Sequence, residues 1–417
     1  MKTMVVLVNN EYNNDPRVNR CVTASKEYFD QITVLSGVPH KKNRTNTRDG
    51  SVTVKRYYYY KPNFSKSKFI KKALDIASKT DKTKTEGATG ESNTNGNGVI
   101  RILLHLGWFF YIFLMNLWIF IRFAGLRADI YYANDYDTLL AAFLLAKIHH
   151  GKLIYDSHEL YSDLLSDSPK IYRKLIQFVE GHLARKASVV ITVNHPIANI
   201  LTKRYQLIET PVVIYNTPYF QEVLETSNRI PNKPFKLLYH GMYLPGRDLD
   251  ELVRSMKDVT NFRLYLRGFG IIEQVLRDLV LELGLSDRVI FLEPVAMKEM
   301  VFSAIDFDMG IIPYPGTQKE LNSYYCTPNK IFEYMMAGLA LAVSDLPVLR
   351  EIVSIHKLGV IFDSNNPRHM AEVLNKITQE NMVQMKINSL LAAKEIYNFN
   401  QESKKLHEIY DHLYQAN

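Results

Sequence analysis

Cysteine is scarce in this chain of 417 residues: Cys21 and Cys326 are the only 2, far apart and in no metal-type or redox-type spacing. A disulfide scaffold and a thiolate metal site are thereby excluded, and a reducing cytoplasm is the expected compartment. The first residues run straight into MVVLV, too short for the hydrophobic region of a signal peptide and without a cleavage site, so the run is read as a first β-strand. No glycine-rich loop follows it, because Asn9 and Asn10 stand there instead. A clear Asp-x-Asp pair at a strand end is also missing, with ANDYD at 133–137 a loose approximation, so neither a metal nor any other cofactor is expected. With 47% hydrophobic and 23% charged residues, the composition excludes a chain that is disordered overall.

What the chain does have is length and an excess of positive charge. At 417 residues it exceeds one ordinary core, and two domains of roughly 150 to 200 residues are expected. Lys and Arg number 51 against 43 acidic residues, for a formal charge of +8, which favours an anionic ligand or surface. Nucleic acid is disfavoured, because the aromatics sit in strands and one apolar helix rather than among the basic residues.

Apolar runs alternate with helical patterns along most of the chain. Met4 to Val8 is followed by turn residues 13–16, a helix carrying Val18, Cys21, Val22 and Phe29 on one side, and a strand at 31–36. This βαβ order implies a parallel sheet covered by helices. A strand is expected at 51–59, and the polar stretch 78–98, rich in Ser, Thr, Lys, Asn and Gly, reads as a mobile loop. Strands follow at 128–135, 152–159, 187–194 and 211–216, with helices at 137–148, 170–186 and 196–205. A second run has strands at 235–241, 262–268, 288–293, 307–314 and 358–363, with helices at 248–257, 271–283 and 297–304. The expected organisation is α/β, two Rossmann-like domains facing across a cleft: 1–218, a linker at 219–234, 235–395, and a C-terminal helix within 396–417 packing back on the first domain.

One segment breaks the alternation. Residues 102–121, within an apolar helix of about 100–122, are interrupted only by His105, Gly107 and Asn116 and flanked by Arg101 and Arg122. Their length suffices to cross a bilayer, but one crossing would put strands of a single sheet on opposite sides. An interfacial or shallowly inserted helix is the leading reading, ahead of a core helix and of a true span.

The motif richest in chemistry is TPNKIFEYMMAGLALAVSD, residues 327–345. Thr327 suits an N-cap, Pro328 a first helical position and Gly338 a C-cap before an apolar strand. Lys330 falls in the first turn, where the helix dipole disfavours a cation unless an anion is bound. Glu333, one turn on, offers a carboxylate that accepts hydrogen bonds from two sugar hydroxyls, or is merely the partner of Lys330. Three further features lie at strand ends of the same domain: HGMYLPGR (240–247), with Gly241 and Arg247; RGFG (267–270), with Arg267 and Gly268; and the loop 313–325. Two cations at one mouth match a diphosphate, and surface Arg and Lys are the plain alternative. In the first domain His158 lies just past a strand end, suited to a sugar hydroxyl or to a structural role, with Glu159 beside it as a base or a cap. Asn134 and Asp135 are turn chemistry or site residues, and Asp15 and Arg17 are helix cap and surface charge or site residues.

On these residues the chain resembles the retaining glycosyltransferases of family 4, which have the GT-B fold. TPNKIFEYMMAGLALAVSD is similar to the family's donor motif, commonly PxKxxEYMAxGxPV, and DPRVNR, ANDYDTLLAA, YDSHEL, ITVN, VIYNTP and DMGIIPY match further blocks in order. The resemblance covers nearly the whole chain except about 61–127. It implies that Glu333 holds the donor ribose, that Arg267 and Lys330 sit near its diphosphate, and that His158 lies near the transferred sugar and acceptor. Two departures stand out. The family often has glutamates in an E-x7-E arrangement, whereas the position eight before Glu333 is Tyr325, which passes that role to Asn322, Ser323 or Tyr324. Its common lysine of the first C-domain loop is replaced near Gly246, with Arg247 as the substitute.

The implied activity moves a sugar from a UDP- or GDP-sugar to a hydroxyl acceptor, with retention and without a metal. The apolar helix and basic balance point to a lipid-linked or membrane-proximal acceptor in envelope polysaccharide or glycolipid synthesis. The expected location is cytoplasmic, peripheral on the inner face of the cell membrane. A nucleotide-sugar epimerase of the same fold and a noncatalytic nucleotide-sugar-binding protein are the competing readings.

Overall fold

The apolar runs form two parallel sheets. The computed structural model describes residues 1–38, 45–58, 95–164, 168–221, 231–317 and 320–415. Contacts divide the chain into unit 1 (Met1–Ile191, Asn199–Val212 and Asp411–Asn417) and unit 2 (Thr192–Ala198 and Val213–Tyr410). The division falls at Val213 rather than Pro218. Most of the expected linker, and most of the expected mobile stretch 78–98, lie outside the described residues.

The first sheet contains β1 (Thr3–Val8), β2 (Gln31–Val38), β3 (Thr47–Asp49), β4 (Val52–Tyr58), β5 (Ile130–Asn134), β6 (Lys152–Ser157), β7 (Val189–Thr192) and β8 (Val212–Val213). Their order is 3-4-2-1-5-6-7-8, so the winding reverses between β1 and β5. Strands β1, β2, β4, β5 and β6 pair in parallel, and the unexpected β3 pairs antiparallel to β4 at the edge. The helices are α1 (Pro16–Ser25), α2 (Asn95–Phe123), α3 (Tyr136–His149), α4 (Tyr161–Leu164), α5 (Lys170–Ala184) and α6 (His195–Tyr205).

The second sheet contains β9 (Phe235–His240), β10 (Phe262–Arg267), β11 (Val289–Leu292), β12 (Met309–Ile312), β13 (Ala340–Ser344) and β14 (Gly359–Phe362), in the order 11-10-9-12-13-14. Consecutive residues on its strands serve opposite cores. Leu237, Ile311 and Ala342 pack with Leu252, Leu276 and Leu374, whereas Leu238, Ile312 and Leu341 pack with Ile331, Met335 and Leu349. Both faces are therefore buried, which is why these strands read as continuous apolar runs rather than as alternation. Its helices are α7 (Leu249–Ser255), α8 (Glu273–Glu282), α9 (Met300–Ala304), α10 (Leu321–Tyr324), α11 (Lys330–Met336), α12 (Pro347–His356), α13 (Pro367–Asn375), α14 (Gln379–Glu395) and α15 (Phe399–Gln415). Helices α12 to α14 go beyond the elements expected from the sequence. In α15 the residues through Tyr410 belong to unit 2 and the rest to unit 1, where the Tyr28 hydroxyl donates to Asp411.

Helix α2 corrects one reading of the apolar segment. Only 17% of its window Ile102–Phe123 is buried, so it is not a core helix. Met115, Asn116, Ile119 and Phe123 face inward, and the Asn116 amide is satisfied at both ends by the Asp137 carbonyl and the Ala141 N–H. Phe110, Phe113, Leu114, Trp118 and Ile121 remain exposed. Because β4 before it and β5 after it share one sheet, a single membrane crossing between them is excluded.

Arg17 is a second correction, since it is no surface charge. Asp15 caps α1 by accepting from the N–H groups of Arg17 and Val18. The Arg17 side chain then turns inward and makes a two-pronged pair with Asp156 at the end of β6, at 3.0 and 2.7 Å. Both residues are buried, and the Tyr132 hydroxyl donates to the same carboxylate. Burial opposes the charge on both, yet each partner more than offsets it, raising the Arg17 pKa and lowering that of Asp156. Removing one member leaves an uncompensated buried charge, so Arg17→Met is expected to cost about 3 to 5 kcal/mol in urea unfolding. Arg17→Met with Asp156→Asn, which keeps an acceptor for Tyr132 without the charge, should recover part of that loss. A single-variant cost below about 1 kcal/mol would show that the pair does not hold α1 to the sheet.

Candidate active site

Ligands of doubly wound sheets bind beyond the carboxyl ends of the strands, where the strand order reverses. In unit 2 that point lies between β9 and β12. Strand β9 ends in His240, and the chain turns at Gly241, whose φ is +137°. Gly268, after β10, has φ +156°, and a Cβ there would lie 1.9 Å from the Gly241 carbonyl oxygen, so the two strand-end loops cross backbone against backbone.

Lys330 arrives beneath this crossing from α11. Its ammonium lies 3.8 Å from the centroid of the Tyr239 ring and 5.1 Å from that of Tyr314, and Arg247 covers the same Tyr314 ring at 4.1 Å. Lys330 is buried, and among the described residues it has no carboxylate within 4.0 Å. Burial, with the nearby Arg247 charge, pushes its pKa down to about 7. An anion seated between Lys330 and Arg247 would relieve both effects.

Glu333 projects from the same helix and meets His240, a residue missing from the sequence-based set. The His240 Nε2 lies 2.8 Å from the Glu333 carboxylate, and burial lowers the imidazole pKa. The neutral ring therefore donates through Nε2–H and holds the carboxylate in place. Of the two side chains Glu333 is the one that reaches solvent, 23% exposed against 2%. The signal in the sequence was His240 itself, the last strand residue before Gly241 in a turn already singled out.

The motif differs locally from expectation. Helix α11 begins at Lys330, and Thr327 is not its N-cap, because the Thr327 hydroxyl accepts from the Asn194 amide, which also donates to the Tyr325 carbonyl. At seven residues α11 has a weak dipole, so the positive character of the site rests on side chains. Gly338 does close the helix, at φ +68°, with the Leu339 N–H donating to the Tyr334 carbonyl. Arg267 directs Nη1 to the Ser303 carbonyl and hydroxyl, at 2.9 and 2.8 Å, and packs over Phe307. Asn322, Ser323 and Tyr324 form α10, ahead of the turn into α11.

In unit 1 the reversal between β1 and β5 gathers a second polar cluster. His158 sits between two carboxylates, with Nδ1 3.2 Å from Asp135 and Nε2 3.4 Å from Asp156. The second contact lacks hydrogen-bond geometry, leaving Nε2 buried and without a hydrogen bond. Burial disfavours the imidazolium, but Asp135 and Asp156 outweigh it and raise the pKa to about 10. The two carboxylates thus favour the protonated, donating form of His158 over a role as a base. Asp137, which accepts from the Asn9 amide at 2.8 Å, is shifted the other way: burial, then the Asp135 charge, raises it to about 7. Asp135 itself has φ +67°, uncommon for a residue with a Cβ.

Comparison with known proteins bears on the family and the fold. The model for Glycosyltransferase Family 4 matches residues 76–218, and that for Glycosyl transferases group 1 matches residues 234–380. No curated protein matches the chain by sequence. Similar solved structures include a sucrose-phosphate synthase from Thermosynechococcus elongatus, with TM-score 0.69 at 12% identity over 100% of both chains. The Anabaena protein HepE in complex with UDP and glucose has TM-score 0.63 at 15% identity, over 99% of this chain and 100% of that one. A glycosyltransferase from Rickettsia africae has TM-score 0.62 at 13% identity, over 100% and 99%. At such identities the likeness is one of fold. The two family models account for most of the chain, one on each parallel-sheet domain, and the chain belongs to the GT-B glycosyltransferases of family 4.

Proposed function

We propose that this glycosyltransferase moves a sugar from a nucleoside diphosphate sugar, UDP- or GDP-linked, to a hydroxyl acceptor with retained configuration and without a metal. The observation that carries the donor assignment is the buried Lys330, which among the described residues has no carboxylate within 4.0 Å, beside Arg247, under an open glycine crossing and one helical turn from the His240-held Glu333. In this reading Lys330 and Arg247 hold the diphosphate, Glu333 accepts from the ribose hydroxyls, and Asn322, Ser323 and Tyr324 lie toward the sugar. Arg267 is tied to α9 through Nη1 and contributes through its remaining donors.

The chemical step breaks the bond between the anomeric carbon and the phosphate oxygen and forms one to the acceptor oxygen. The acceptor proton passes to an oxygen of the leaving diphosphate, whose charge Lys330 and Arg247 stabilise. His158, charged at neutral pH, donates a hydrogen bond to a sugar or acceptor hydroxyl, and Asp135 accepts one. The exposed apolar face of α2 supports a lipid-linked or membrane-proximal acceptor in envelope polysaccharide or glycolipid synthesis, handled at the inner face of the cell membrane.

Removing the charged acceptor of two hydroxyls is worth about 1.5 to 3 kcal/mol. Glu333→Ala should therefore weaken UDP- or GDP-sugar binding by roughly ten- to hundredfold in calorimetry, with a native circular dichroism spectrum, and unaltered affinity would remove Glu333 from the site. NMR of the donor without acceptor tests the reaction class. The sugar should remain unchanged until a membrane-lipid extract is added; epimerisation of the donor alone, or tight binding with no turnover in any extract, contradicts transfer.

The Lys330 shift sets a pH dependence. In the free protein its pKa is near 7, and a bound diphosphate raises it, so between pH 7 and the raised value binding takes up a proton. Affinity for UDP-glucose should fall as pH rises above 7, by up to about tenfold per unit. Calorimetry at pH 8 in two buffers of different ionisation enthalpy should register an uptake approaching one proton, absent in Lys330→Gln. A pH-independent affinity in the native protein would show that the ammonium does not meet the phosphates.

A further inference from the structure

At the last turn of α2, on the opposite side of β1 from the His158 cluster in strand order, unit 1 holds a cavity of about 500 Å³ that the proposed reaction does not use. Its walls include Asn46, Lys55, Arg56, Tyr57, Trp118 and Arg122. Lys55 and Tyr57 come from one face of β4, two residues apart, while Trp118 and Arg122 are one helical turn apart on α2. Tyr57 fixes the geometry: it is buried, donates to the Val8 carbonyl and packs against Trp118 and Phe123, with centroids 5.9 and 6.3 Å away.

The residues that line the cavity include three cations and no carboxylate among the described residues. Arg56 is anchored through Nη1 to the Thr45 carbonyl and the Thr47 hydroxyl. Among the described residues, no carboxylate lies within 4.0 Å of Lys55, Arg56 or Arg122. Three like charges around one space repel one another, and a phosphate, with several acceptor oxygens, is the group that three such donors suit.

The surroundings indicate what carries that phosphate. Phe110, Leu114, Trp118 and Ile121 form an exposed stripe along α2 that ends at the cavity wall, and Ile121 is 72% exposed. At 1.5 Å per residue the stripe is roughly 16 Å long. That is about half the hydrocarbon core of a bilayer.

We propose that this cavity binds the phosphate headgroup of an anionic lipid, whose acyl chain lies along the α2 stripe. The site is separate from the donor and acceptor clusters, and it rests on the reading that the enzyme works at a membrane. Lys55 and Arg122 bind the phosphate oxygens, Arg56 backs them, and Trp118 covers the glycerol region where headgroup meets tail.

The test uses the full chain and dihexanoyl-phosphatidylglycerol below its micellar concentration, followed by calorimetry. Saturable one-to-one binding is expected, lost by roughly thirtyfold or more in Lys55→Gln with Arg122→Gln and retained in Lys147→Gln, a control at an exposed residue of α3. Inorganic phosphate should bind roughly tenfold more weakly than the lipid. Equal affinity for phosphate would make this a free-phosphate site, and unchanged lipid binding in the paired variant, or none in the native chain, would equally overturn the proposal. Sedimentation with phosphatidylcholine vesicles, with and without phosphatidylglycerol, separates the underlying reading. If no vesicle binds while the soluble lipid still does so through Lys55 and Arg122, the membrane reading alone fails; if vesicles bind and the paired variant binds them equally well, the headgroup site alone fails.

Discussion

A parallel sheet covered by helices on both faces keeps charge off those faces, and where the strand order reverses the carboxyl ends of the strands leave room to hold it with access to a ligand. In unit 2 this constraint is severe, because Leu237 and Leu238, or Ile311 and Ile312, serve two different apolar cores in consecutive positions. Polar chemistry is thereby driven to His240, Gly241, Lys330 and Glu333, around the point where the strand order reverses. The position of the candidate donor site is thus a consequence of how the sheet is wound.

The two strand-end clusters treat buried charge in opposite ways. In unit 1 the cations Arg17 and His158 are neutralised within the protein by Asp156 and Asp135, which keeps His158 protonated at neutral pH. In unit 2 Lys330 is buried against Tyr239 and Tyr314, and its pKa falls toward neutrality. A satisfied cluster orients its members and stabilises the fold. An unsatisfied one lowers stability in the free protein and returns that free energy when an anion binds.

Much of this could be read in the chain. Periodicity located most strands, since buried parallel strands are unbroken apolar runs, and Gly338 was legible as a helix terminator because few other residues adopt its conformation. Lys330 and Glu333 were legible because their spacing puts them one turn apart on a short helix. Thr327 was misread: its side chain is engaged by Asn194, 133 residues away, and no local rule reveals such a partner. For Arg17 the surface-charge alternative fails for the same reason, its counter-charge being Asp156, 139 residues on. His240 was passed over because its importance comes from a contact with Glu333 across 93 residues.

The sequence alone determined the α/β class, the two-domain organisation and the motif that carries the donor assignment, because hydrophobic period, turn residues and short-range spacing are local properties. It also marked residues 102–121 as exceptional, through apolar length. Tertiary structure decided what the key residues face: that α2 leaves an apolar face exposed, that Lys330 sits between two aromatic rings, and that two carboxylates hold the His158 pKa up. Each of these depends on which distant groups are brought within a few ångströms, and the strength of an electrostatic interaction or the degree of burial is set by that distance rather than by position along the chain.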